Sequence, residues 1–119
     1  MSRYHDRVVV VRASLGEPGR NGVRARDWSA AQRSQPLAAS VQPQAADEDA
    51  GGRQTTVTSW RLFAGPATDL LPTDRIEWDG VLDETTGQPA PLEVDGEVAR
   101  WRHRGVPHHV EAVLRRVTS

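Results

Sequence analysis

Three histidines, His103, His108 and His109, form the one cluster in this chain whose residue type suits metal ligation or proton transfer. Neighbours on a flat strand point to opposite faces, so His108 and His109 are not expected to converge on one ion, and no two histidines fall at the helical i, i+4 spacing. They read as core or interface histidines, with no metal. Asp47, Glu48 and Asp49 are three acids in a row, but they lack the alternating ligand pattern of a calcium loop. Beside Gly51 and Gly52 they sit in a segment too pliable to hold an acid–base pair in register. There is no G-x-S-x-G elbow, and the glycines at 16, 19 and 22 lack the dinucleotide-binding spacing. With no cysteine, thiolate chemistry, disulfides and cysteine-based zinc sites are excluded. The expectation is a protein with no catalytic residues and no cofactor, not an enzyme.

The cations are informative in kind. All fifteen basic residues are arginine. A GC-rich coding sequence gives that bias, and so does interface chemistry, where the planar guanidinium pairs with carboxylates at modest desolvation cost; the two readings are compatible. Arg100, Arg102 and Arg104 alternate along one stretch and would form a ladder on one strand face. That ladder is either a solvated face or a stripe for the acids of a neighbouring subunit or a DNA backbone. A net charge of −1 gives no global pull towards nucleic acid or an anionic membrane. The apolar run Val8, Val9, Val10, Val11 is too short for a signal core or a membrane span, so a soluble protein made in a cytoplasm is expected.

The elements that must position these residues read as strands. The 119 residues suit one domain, residues 1–119, with a core of Val, Leu, Ala and a few of its four Trp rings. The four valines suggest a strand buried on both faces or closing a barrel. Asp27 or Ser29 would cap a short helical turn around Trp28, itself a core or interface anchor. Residues 37–42 form a strand bounded by Pro36 and Pro43. Residues 44–53 form a flexible acidic loop. Residues 54–63 are the clearest strand, with Trp60 and Leu62 on one face and Val57 and Phe63 on the other. Around 75–79, Ile76 and Trp78 face one way and Arg75, Glu77 and Asp79 the other. Asp79-Gly80 and Asp95-Gly96 read as tight turns, and residues 84–91 as a loop. Residues 98–104 make a strand with Trp101 inward, so that Trp60, Trp78 and Trp101 are core anchors. The last stretch, 108–117, matches helix or strand spacing; Pro107 and the hairpin context favour strand. The fold class is therefore all-β, a small antiparallel β-barrel or sandwich with long loops.

Several fragments in order carry a resemblance: residues 4–12 from Tyr4 to Arg12, Asp27-Trp28-Ser29-Ala30, Val41-Gln42-Pro43, Trp60-Arg61-Leu62, Asp74-Arg75-Ile76, Val94-Asp95-Gly96-Glu97, Trp101 and His108-His109-Val110-Glu111-Ala112. The set resembles the head-to-tail stopper (head-completion, or connector) proteins of long-tailed, non-contractile phages, and is most similar to versions from phages of actinobacteria. It spans nearly the whole chain and departs from the family where residues 83–91 look inserted. The resemblance implies a barrel or sandwich assembled as a homo-oligomeric ring, sixfold or twelvefold, in the virion neck, put together in the bacterial host cytoplasm. Its partners would be the adaptor ring below the portal, the tail terminator or tail tube, and packaged double-stranded DNA, with no membrane. It also implies that the acidic loop, with Asp47, Glu48, Asp49, Gly51 and Gly52, projects to the channel and helps retain DNA. Arg100, Arg102 and Arg104 would serve intersubunit or neck contacts. The alternatives are another neck component (adaptor or tail terminator) or a small nucleic-acid-binding β-barrel.

Overall fold

A computed structural model describes residues 4–45 and 57–117. The described residues form eight strands and no helix: β1 (Asp6–Pro18), β2 (Arg24–Arg33), β3 (Leu37–Ala45), β4 (Val57–Ala64), β5 (Arg75–Leu82), β6 (Pro89–Val94), β7 (Ala99–His103) and β8 (Val106–Arg116). Every pairing is antiparallel. Six strands run β1-β3-β4-β8-β6-β5, and the β1–β5 ladder, from Val8 opposite Trp78 to Val11 opposite Arg75, closes them into a barrel. The fold is the expected all-β barrel.

Alternation fills the interior. Val8, Val10, Val41, Trp60, Leu62, Ile76, Leu92, Val94, Ala112 and Leu114 are buried together, and Leu70 from the β4–β5 connection plugs one end. Trp60 is a core anchor as expected. Trp78 packs against the core half-buried, and its ring folds back over Gly80 of the same strand, where any Cβ would collide with it. Asp79-Gly80 is thus no turn. It lies inside β5, and the glycine is there to make room for the indole.

β1 and β8 are longer than the barrel needs. Each gives one half to the barrel and extends the other half into a two-stranded ribbon. Along β1, β3 covers Asp6 to Val8 and β2 takes over from Val11 to Pro18. The ladder is carried across the gap by Ser34, whose Oγ accepts from Val10 N at 2.9 Å while its own N–H donates to Val10 O at 2.9 Å. Along β8, β6 covers Leu114 to Arg116 and β7 covers Val106 to Glu111. Residues 95–98 bridge that gap, with Asp95 N donating to Val113 O at 2.8 Å. Asp95-Gly96 therefore interrupts a broken strand instead of making a hairpin. The tight turn is Arg104-Gly105, between the paired His103 and Val106, with φ of 52° and 81°. Two successive positive φ values are what a two-residue turn needs to match strand twist.

Other expectations change for local reasons. Asp27 and Ser29 make a kink in β2 and not a helical turn: Asp27 Oδ1 accepts from Ser29 N and from its hydroxyl at 3.0 and 2.6 Å. Arg12 pairs with Gln32 and Ser14 with Asp27, so residues 28–31 bulge against Ala13 alone. Pro43 lies within β3, opposite Trp60. The 84–91 loop is shorter than expected, because β6 begins at Pro89 and residues 83–88 close a compact hairpin by the Asp83 N to Gln88 O and Gly87 N to Asp83 O bonds, both 2.8 Å. The final segment is strand, as the hairpin context implied.

Candidate functional site

Strand directions place both ribbons at the same end of the barrel. β3 ends at Ala45 and β4 begins at Val57 at the opposite end. Asp47, Glu48, Asp49, Gly51 and Gly52 lie outside the described residues.

At the ribbon end, the β4–β5 connection (65–74) is gripped by two arginines, one from the root of each ribbon. Arg12 of β1 donates to both carboxylate oxygens of Asp74, at 2.9 and 2.8 Å, and reaches Asp69 at 3.1 and 3.2 Å. Asp74 is 1% exposed, and its carboxylate also accepts from Leu71 N at 2.8 Å. These bonds raise the Arg12 guanidinium above its ordinary value, Asp74 first and Asp69 second, and hold the Asp69 carboxyl below its own. From the other side, Arg100 of β7 donates to the carbonyls of Thr68 and Leu70 at 3.1 and 3.0 Å. Arg100 is therefore engaged within its own chain.

The three arginines expected on one face are separated. Arg102 is exposed on β7, and Arg104 occupies the turn at φ 52°. A register shift follows Trp101, which breaks simple alternation. Trp101 opposes His109 and Arg102 opposes Pro107, so His108 is an extra residue, bulged. A bulge turns two consecutive side chains to one side, and the Nδ1 atoms of His108 and His109 come within 2.8 Å. A flat strand would hold them on opposite faces. Among the described residues no group of three or more His, Cys, Asp or Glu is arranged to hold a metal ion.

Trp101 is not a core anchor: it is 52% exposed. β7 lies outside the barrel, so neither of its faces meets the core. The indole stacks on His109, with centroids 6.1 Å apart and planes 10° off parallel, and its Nε1 donates to Glu111 at 2.7 Å. Phe63 adjoins His109, and His103 adjoins His108. Tyr4, Ser40, Gln42, Phe63, His108 and His109 line a shallow depression of about 320 Å³ beside this array. Sequence periodicity missed the array because the bulge that builds it is set by pairing with β7.

The structure is a closed six-stranded antiparallel barrel carrying two ribbons at one end. No protein-family model and no curated protein matches the chain. Among solved structures, it is similar to protein SF1141 of Shigella flexneri 2a over 98% of this chain and 95% of that one, at 17% identity and a TM-score of 0.58. The xkdH protein of the phage-like element PBSX of Bacillus subtilis aligns over 93% of this chain and 92% of that one, at 20% identity and a TM-score of 0.45. The first likeness is one of fold; the second is too loose to add to it.

Proposed function

We propose that this chain is a structural protein of a phage neck, forming a ring between the portal–adaptor complex and the tail that closes the filled head and joins it to the tail. The observation that carries the reading is the pair of ribbons at one end of the barrel, which extend β1 and β8 past the core and expose Leu15, Val23, Trp101 and Val106. A small monomer gains no core from such ribbons, whereas a ring gains contact surface. The ordered fragments that resemble stopper proteins support the same reading.

In this reading Arg102 and Arg104, which reach no carboxylate among the described residues, face acids of adjoining subunits, and Arg100 sets the angle of their ribbon. Asp47, Glu48 and Asp49 border the channel, where repulsion from DNA phosphates lets the DNA leave on ejection. No catalytic step is assigned to any residue. Phage lacking this chain is expected to accumulate filled heads that leak DNA and carry no tails. Tailed, infectious particles in its absence would overturn the proposal.

One observation favours a second reading, a nucleic-acid-binding barrel. Residues 99–110 hold three arginines, three histidines and an exposed Trp, with no acid. That reading requires tight binding of single-stranded DNA that weakens steeply with salt.

A further inference from the structure

On the barrel wall away from the histidine array, the β2 bulge swings Trp28 across β5, where the Arg75 guanidinium lies 3.9 Å from the indole centroid. Beside this stack is a cleft of about 250 Å³ lined by Arg26, Arg75 and Arg115, with Asp74 and Glu93 in its wall. Three guanidiniums thus share one small depression. Both acids are already paired, Asp74 outside the cleft and Glu93 with Arg115 within it, which leaves Arg26 and Arg75. Asp74 is taken up by Arg12 and Leu71 N, and Glu93 accepts from Arg115 Nε at 2.8 Å. Among the described residues neither Arg26 nor Arg75 reaches a carboxylate. Two uncompensated like charges in one cleft raise each other's cost, and an anion between them removes it. Arg75 is also immobilised by its stack, so its planar fork is oriented before any ligand arrives.

We propose that this cleft is a carboxylate-binding site, and that its ligand is an acidic side chain of a neighbouring protein subunit. Charge complementarity commits the occupant. Asp79, Glu84 and Glu97 are exposed and reach no cation among the described residues, so a second copy carries suitable ligands. The identity of the neighbour rests on the ring reading; the binding chemistry of the cleft does not.

The test is an NMR titration of the isolated full chain, following the arginine Nε–Hε resonances, with glutarate, inorganic phosphate and chloride at matched ionic strength. Glutarate is expected to saturate and to shift Arg26 and Arg75, and Arg26→Gln is expected to weaken binding roughly tenfold. Arg26 is exposed, so that variant keeps the fold; Arg75→Gln, checked for folding by its amide spectrum, should weaken binding similarly. No saturable shift with glutarate, saturation by phosphate alone, or unchanged affinity in Arg26→Gln would each overturn the site. None of these results bears on whether the chain resides in a phage neck, which the tail-less phenotype decides separately.

Discussion

The two ribbons grow from the same device, a strand too long for the barrel, yet they are held differently. The β1–β2 ribbon is joined through a longer turn closed by the Gly22 N to Gly19 O and Gly19 N to Val23 O bonds, breaks register twice, and is anchored at its root by Arg12 on the carboxylates of Asp69 and Asp74. The β7–β8 ribbon closes in two residues, breaks register once, and is anchored by Arg100 on backbone carbonyls, with the Trp101–His109 stack along its length. One anchor depends on ionised acids and the other does not. The same residue type, arginine, thus ties a ribbon to the barrel through groups that titrate in one case and through groups that never do in the other.

Removing the acid that fixes the first ribbon should have the largest effect. Asp74→Ala leaves Leu71 N and part of Arg12 without a partner, and is expected to cost about 3 kcal/mol in chemical denaturation, the lower end for breaking a buried pair because Asp69 and solvent still serve Arg12. Hydrogen exchange in the variant should speed first in β2. Equal loosening of both ribbons would mean that the 65–74 connection holds them as one unit.

Trp101→Ala should cost less, about 1 kcal/mol, since the ring is half exposed and gives up one stack and one hydrogen bond. Faster exchange confined to residues 99–110 is the expected signature. Arg104→Asn should shift stability the other way, by about 0.5–1 kcal/mol, because asparagine tolerates the positive φ that arginine adopts at a cost. If Arg104 serves a neighbouring subunit, that more stable chain should assemble less well.

The smallest effect is acid sensitivity. Hydrogen bonding to Arg12 lowers the Asp69 pKa, and bonding to Ser29 lowers that of Asp27. Each therefore adds stability at pH values above the ordinary carboxylate value of about 4, and that stability is lost as pH falls through the lowered value. Chemical shifts of the β1–β2 ribbon should move below about pH 4. The Arg100 anchor of the other ribbon, made to backbone carbonyls, should show no such loss.

Much of the barrel was legible. Alternation of Trp60 with Leu62 and of Ile76 with Trp78 named an inward face, because a side chain on a strand has only two directions to choose from, and the run of four valines named a strand buried on both faces or closing a barrel. What misled was punctuation. Asp79-Gly80 looks like a turn in sequence, but its glycine yields space to Trp78. Arg104-Gly105 carries no turn signal as strong as Asp-Gly, yet it is the turn. Trp101 alternates as a core residue should, but its strand lies off the barrel.

By itself the sequence determined the all-β class, the absence of thiol chemistry, the exclusive use of arginine and most inward-facing residues, since these follow from composition and a period of two. Tertiary structure alone decided where β1 and β8 leave the barrel, which arginines are consumed within the chain, and how two bulges gather His108 with His109 and lay Trp28 on Arg75. Those outcomes depend on register between strands distant in sequence, and a slip of one residue, invisible to local pattern, reverses which face every side chain occupies.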